Sequence, residues 1–296
     1  MKLELSAIEK SFGAKHVLKG VSLCAESGKA FGLLGRNGAG KTTSIRILMN
    51  VFPADAGEVR FDGKPIDYRA VHFGYLPEER GLYPKKKIID QLVYFAELKG
   101  MNRKDAEKSI DYWLSRLEMS EYKNKRLDTL SKGNQQKIQL ITALAHDPQI
   151  VILDEPFSGL DPVNAMLLKS VVKEEIAKGK IVLFSSHQMS YIEEFCDRIA
   201  IINGGKTVLH GDLNEIKRNF PRNRLVIRSR DNDEMEKRFS DRCYEGENGA
   251  LFFELDDESE KSAVMNKLVS EYDIDDIGVF EPSLNDIFVK YAEEQM

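Results

Sequence analysis

The sequence predicts an α/β fold: a mostly parallel sheet flanked by helices, followed by a smaller α+β module. Three observations predict it. Short apolar runs alternate with helical stretches between residues 29 and 202, the pattern of a parallel sheet with helical crossovers. The segment Gly35-Arg36-Asn37-Gly38-Ala39-Gly40-Lys41-Thr42 lies between one such run and a helix. The charge also changes sign along the chain. Residues 220–296 hold 10 Lys and Arg against 20 Asp and Glu, a net of −10, whereas residues 1–219 hold 33 against 28, a net of +5. That asymmetry predicts two modules, 1–219 and 220–296. The seam falls at residues 219–223, where Pro221 stops the preceding helix.

The elements follow in order. Lys2 to Phe12 and Val17–Leu23 alternate apolar and polar residues and read as strands. Lys29–Leu34 is a short apolar strand that runs into the glycine-rich loop, and Thr42–Phe52 reads as the helix after it. Residues 88–145 read as a long helical stretch, an inserted helical part spanning about 85–148. Then come a strand (Ile150–Leu153), a helix (Val163–Lys178), a strand (Ile181–Phe184) and a helix (Met189–Phe195). Arg198–Ile202 and Thr207–His210 flank Asn203-Gly204-Gly205-Lys206, a hairpin signal. Asp212 can cap a last short helix. The acidic module reads as strand (Arg224–Ser229), helix (Glu234–Phe239), hairpin (Cys243–Leu255, turning at residues 247–249), helix (Glu258–Tyr272), strand (Ile274–Phe280) and helix (Leu284–Ala292). That βαββαβ order predicts a ferredoxin-like layout.

Composition narrows the function. The chain has 296 residues, 42% hydrophobic and 31% charged, which excludes a disordered chain, a collagen or a coiled coil. A net charge of −5 excludes a generally basic nucleic-acid binder, and no nucleic-acid partner is expected. No apolar run approaches the roughly 18–20 residues that span a bilayer, and Met1–Phe12 has no signal-peptide core. Cys24, Cys196 and Cys243 are too sparse for a disulfide framework or a zinc site.

Residues 35–42 match G-x-x-x-x-G-K-[ST] at every specified position. Glycines let the backbone curl so that successive N–H groups face one anion, and the following helix aims its positive end at the same phosphates. Lys41 would reach the β- and γ-phosphates, and the Thr42 hydroxyl would ligate Mg²⁺. Ile150-Val151-Ile152-Leu153-Asp154-Glu155 is a buried strand that ends in two adjacent carboxylates. Asp154 would hold Mg²⁺ through water. Glu155 would orient or deprotonate the attacking water, which needs an acceptor rather than another cation.

At this point the chain resembles the ATP-binding subunit of ABC transporters. Leu130-Ser131-Lys132-Gly133-Asn134-Gln135-Gln136 resembles that family's LSGGQ signature, with Lys132 and Asn134 departing from it. Ser158-Gly159-Leu160-Asp161 matches the D-loop. His187 matches the switch histidine by its place after a strand, and Phe12 matches the aromatic A-loop position. The resemblance implies a P-loop NTPase core with a helical and an antiparallel β subdomain. It implies ATP and Mg²⁺ as cofactors and nucleotide contacts from Gly35 through Thr43: Gly35, Arg36, Asn37, Gly38, Ala39, Gly40, Lys41, Thr42 and Thr43. In the family the signature meets the ATP held by the other subunit, so Ser131, Gly133, Asn134 and Asp161 imply a dimer of like or unlike ATPase chains with two sandwiched nucleotides. Ser131 would also be a plain helix cap, and Phe12 read alone is core. Tyr75-Leu76-Pro77-Glu78-Glu79-Arg80-Gly81-Leu82-Tyr83-Pro84 occupies the place of the Q-loop with Glu78 for the usual Gln, and the resemblance implies that this loop and the helical stretch after it contact the membrane subunit. Glu78 still offers an oxygen to Mg²⁺ or the lytic water but no amide donor.

The resemblance further implies an integral-membrane permease as a separate chain and a place on the inner face of the cell membrane. The wording around residues 77–84 and 130–137, with the short acidic module, resembles exporters of sodium or drugs. Lys85-Lys86-Lys87 reads either as a solvated face or as a neighbour of anionic headgroups. A soluble ABC-type ATPase of DNA repair or translation is the other reading. Such proteins carry long coiled-coil insertions, zinc modules or tandem cassettes, and none of these is present in the 296 residues.

Overall fold

Alternation organises the first element. Leu3, Leu5 and Ile8 are buried on β1 (Lys2–Phe12), although the spacing from Leu5 to Ile8 breaks the period of two. A register shift there, with Ala7 at φ 48°, is a bulge that turns Ile8 back toward the core. β1 pairs antiparallel with β2 (Lys15–Glu26). The computed structural model describes residues 1–79, 81–186, 188–221, 223–246 and 249–293. β3 (Ala30–Leu34), wholly buried, precedes the loop and α1 (Lys41–Leu48). Next come β4 (Ala56–Phe61), β5 (Lys64–Pro65) and β6 (Phe73–Leu76), then α2 (Ile88–Leu98), α3 (Arg103–Arg116) and α4 (Lys132–Leu144). β7 (Ile150–Asp154), α5 (Pro162–Ala177), β8 (Ile181–Ser185), α6 (Met189–Phe195), β9 (Arg198–Asn203), β10 (Lys206–Asp212) and α7 (Leu213–Asn219) complete this part.

Two expectations need correction. α1 ends at Leu48 rather than Phe52. The helical stretch over 88–145 is three helices. It breaks at Lys99–Asn102, where Asn102 caps α3 by accepting from Asp105 N, and again at the 3₁₀ turns Ser120–Tyr122 and Leu127–Thr129. The strands β4, β5 and β6 carry no expectation from sequence. β4 is largely exposed and β6 has four residues, too short for a period to show. Gly74 in β6 is required by packing, since a Cβ there would stand 2.1 Å from Ala143 O.

Two sheets face each other in this part. The antiparallel sheet runs β2-β1-β4-β5, and the second runs β10-β9-β3-β8-β7-β6, parallel except for β10. Between them Leu3, Leu5, Leu18 and Val21 pack on Phe31, Leu33, Ile152 and Leu183, with Ile45 and Leu48 of α1. The opposite face carries α5 and α6. A Cβ on Gly32 would come within 2.8 Å of Ile192 Cγ2, so glycine lets α6 lie close on β3. No helix among the described residues is long and apolar enough to cross a membrane.

The chain divides into two units, Met1–Leu213 with the stretch that begins at Phe288, and Asn214–Ile287. The second unit holds β11 (Arg224–Ser229), α8 (Asn232–Arg238), β12 (Cys243–Glu245), β13 (Leu251–Glu254), α9 (Lys261–Glu271) and β14 (Ile274–Val279). The turn residues 247 and 248 lie outside the described residues. Its sheet is antiparallel in the order β12-β13-β11-β14. The first strand therefore lies between the third and fourth, the ferredoxin-like order. Leu225, Ile227, Met235, Leu251, Phe253 and Leu268 form its core. α10 (Leu284–Glu293) begins in this unit and ends in the first.

Candidate functional site

The loop after β3 needs its glycines. Gly38 and Gly40 have φ 80° and 116°, conformations that side chains resist. A Cβ on Gly40 would lie 2.4 Å from Leu18 Cδ2. Ala39 N donates to Arg36 O at 3.1 Å, closing a turn. Lys41 Nζ folds back over this turn and donates to Gly35 O (2.5 Å) and Arg36 O (3.3 Å). Burial pushes its ammonium pKa down, and Glu155, Asp154 and Glu78 oppose that. One cation thus faces three carboxylates.

Parallel pairing brings these groups together. β8 lies between β3 and β7, with Leu33 and Asp154 both in register with Ser185. The glycine loop and the two carboxylates therefore leave the same end of the sheet, where open α/β sheets hold ligands. Asp154 is buried, and burial raises its pKa, reinforced by Glu78 and Glu155 and countered by Lys41. Tyr75 Oη donates to Asp154 Oδ2 at 3.4 Å. Burial, with Asp154 close by, pushes the Tyr75 phenol up to about 12, so it stays a donor at neutral pH. Glu155 adopts φ 50°, a left-handed conformation that costs a non-glycine residue on the order of 1 kcal/mol. Its N donates to Ser185 O at 2.8 Å and its Oε2 accepts from Ser186 Oγ at 2.9 Å. The strand exit and Ser186 together aim this carboxylate.

Glu78 is exposed in the loop after β6. Gln139 Nε2 on α4 pins that loop by donating to Glu79 O (3.0 Å) and Pro77 O (3.4 Å). Glu78, Thr42, Asp154, Tyr75 and Arg46 line one cleft of about 940 Å³. Thr42 is exposed and Thr43 half-buried at the start of α1.

A second group surrounds the starts of α4 and α5. Ser131 caps α4, which begins at Lys132, and accepts from Asn134 N at 3.3 Å. Asp161 caps α5 and accepts from Asn164 N (2.9 Å) and Nδ2 (2.5 Å). Gly133 is buried, with space for a Cβ limited by Asn164 Nδ2 at 3.2 Å. These hydrogen bonds stay within their own turns, whereas Gln136 Nε2 of α4 donates to Pro156 O at 3.4 Å, next to Glu155. Phe12 stands at the end of β1, 49% exposed, edge-on to Phe52 at 5.4 Å. His187 lies outside the described residues. Sequence reasoning missed Tyr75 and Ser186. Tyr75 sits in the unassigned strand β6, while Ser186 directly precedes His187 and could have been found as a hydroxyl at a strand end.

Residues 18–158 match the ABC transporter family, and residues 211–292 match a second family, "ATP-binding protein DrrA1-3-like, C-terminal domain". An uncharacterized ABC transporter ATP-binding protein of Bacillus subtilis, YhaQ, is 42% identical over 97% of both chains. The chain belongs to the ABC transporter ATP-binding proteins. The Nod factor export ATP-binding protein I of Paraburkholderia xenovorans is 33% identical to this ABC protein over 71% of the present chain and 70% of its own. A solved ATP-binding subunit of an ABC transporter superposes with a TM-score of 0.68 at 28% identity, covering 74% of this chain and 93% of that one. ABC ATPases bind and hydrolyse ATP.

Proposed function

We propose that this ABC ATPase is the motor subunit of a membrane exporter. Two chains, alike or unlike, would enclose two ATP, and a separate integral permease would carry the substrate at the inner face of the membrane. The observation that carries this is the fold of Lys41 over its own loop, opposite Asp154 and Glu155 at the exit of the neighbouring strand. That arrangement combines a polyphosphate cradle with an acceptor for the proton of water. The exposed caps Ser131 and Asp161 support the dimer, because their hydrogen bonds close their own helix turns and leave that surface open to a second chain. The export relative supports the direction of transport.

ATP displaces the carbonyls that now occupy Lys41 Nζ, and the ammonium turns to the β- and γ-phosphates. Backbone N–H groups at the start of α1 would face the same anion. The hydroxyl of Thr42 and the carboxylate of Asp154 are hard oxygen donors lining one cleft, a set that fits Mg²⁺, which takes one or two carboxylates and leaves its other positions to phosphate and water. Bound there, Mg²⁺ would neutralise charge on the β- and γ-phosphates. Glu155, aimed by Ser186 Oγ, accepts the proton of the attacking water. Glu78 offers a further oxygen, His187 a donor to the γ-phosphate, and Phe12 a flat face to adenine. Residues 1–219 would form the ATP-binding domain and 220–296 an accessory domain.

Replacing Glu155 with Gln tests the reading. ATP binding should persist, turnover should fall by about 10²–10⁴, and size-exclusion chromatography in ATP should show dimers. A wild-type rate in this variant would refute the base assignment.

A further inference from the structure

The turn after β7 hangs on one aromatic ring. Ser158 N donates to Glu155 O (3.2 Å) and Leu160 N to Phe157 O (3.3 Å), which closes residues 155–160 into a compact turn. Ser158 and Gly159 are exposed and Leu160 is half-buried, whereas Phe157 is 4% exposed. Its ring lies among three others. It stacks on Phe184 of β8 at 6.2 Å and on Phe195 of α6 at 5.4 Å, and it meets Tyr191 of α6 at 4.5 Å, tilted by 36°. Phe184 and Phe195 are themselves 5.6 Å apart. The half-buried Tyr191 carries Lys169 Nζ of α5 over its ring at 5.0 Å, and Glu194 pairs with that ammonium.

Phe157 lies two residues past Glu155, and Phe184 two residues before Ser186, whose Oγ donates to Glu155. Glu155 keeps φ 50°, and a non-glycine residue stays in that region only where its surroundings over-determine it. On one side Glu155 N is tied to Ser185 O, and on the other the chain is held by Phe157. Aromatic pairs favour particular angles, so the slot fixes the direction in which Phe157 enters as well as its depth. We infer that Phe157 is a positioning residue: locked by Phe184, Tyr191 and Phe195, it holds Glu155 in its strained conformation and ties that carboxylate to α6. A shift of α6 thereby reaches Glu155 through one ring contact, Phe157 on Tyr191. This role depends on the motor reading above, in which Glu155 accepts the proton of water.

ATP hydrolysis by the full chain tests this. Phe157 is buried and F157L risks the fold, so the half-buried Tyr191 is the primary target. Misplacing a reacting group by about 1 Å costs about 10²-fold in rate, so Y191L should lower kcat by about 10–100-fold and leave the KM for ATP unchanged. Y191F keeps the ring and should turn over like the wild type. In the E155Q background, single-turnover hydrolysis should show no further loss from Y191L, because the group it positions is already gone. A folded F157L chain should behave as Y191L does. Thermal unfolding shows whether each variant is folded. A folded Y191L chain with the wild-type kcat, a loss carried by KM, or the same loss again in the E155Q background would overturn the proposal. So would Y191F as slow as Y191L, which would assign the effect to the hydroxyl. A wild type that hydrolyses no ATP would refute the motor reading and this role together, whereas wild-type turnover with an unaffected Y191L refutes this role alone.

Discussion

At the scale of single residues, the carboxylate proposed to hold Mg²⁺ is shaped by a neighbour outside the motifs. Asp154 is buried, and Tyr75 Oη donates to its Oδ2. Hydrogen bonds behind a ligand orient it, and their loss typically costs about 10–100-fold in metal affinity. At 3.4 Å this bond is long, so Tyr75→Phe should weaken Mg²⁺ affinity by about tenfold, the low end of that range. Calorimetry of a non-hydrolysable ATP analogue across Mg²⁺ concentrations checks it, and unchanged Mg²⁺ dependence would remove Tyr75 from the site. The motif residues themselves were legible in the sequence, because Lys41, Asp154 and Glu155 need only a spacing and an apolar strand before them. Tyr75 was not, since its role depends on β6 lying beside β7 in parallel register.

At the scale of elements, the junction of α4, β6 and β7 holds a histidine that opposes acid. His146 Nε2 lies 3.0 Å from Phe73 O. A carbonyl only accepts, so Nε2 carries the hydrogen and the buried Nδ1 keeps a lone pair with no partner among the described residues. Protonating Nδ1 would bury a charge and an unmet donor. Burial, with Lys99, His72 and Lys180 nearby, accordingly lowers the pKa to about 4 from an ordinary 6.5. The unfolded chain then binds this proton first. His146 leaves stability untouched above about pH 6.5, and stability falls as pH drops from there toward 4, by up to roughly 3 kcal/mol. His146→Gln should flatten that loss in urea unfolding at pH 7 and pH 5, and an equally steep loss would refute it. The helix α4 was visible from its signature, but its start at Lys132 depends on the Ser131 cap. The breaks between α2, α3 and α4 lack proline; the first is marked instead by Gly100 at φ 91° and the Asn102 cap, a local helix-end signal that the reading of one long stretch passed over.

At the scale of the whole molecule, the charge step near residue 220 marks two modules, and the chain path complicates them. The last helix ends in the first unit, where Asn203 Nδ2 donates to Tyr291 O at 3.3 Å. A chain ending at Ile287 should therefore lower the unfolding transition that ATP raises. If this bond contributes about 1 kcal/mol, the shift is about 2–4 °C, read by calorimetry with and without nucleotide. No shift would mean that these residues add nothing to the first unit. The sequence by itself determined the phosphate loop, the buried strand with its acidic end, the order of the second unit's elements and the family resemblance. Each rests on local chemistry: glycine at positive φ, apolar runs, and a lysine next to a helix start. Only the tertiary structure decided that β8 separates the loop from the carboxylates, that Ser186 and Tyr75 orient those carboxylates, and that Phe157, just past β7, meets Phe184 of β8. Those facts come from backbone pairing between residues far apart in the chain, and no local pattern specifies which distant strands will pair.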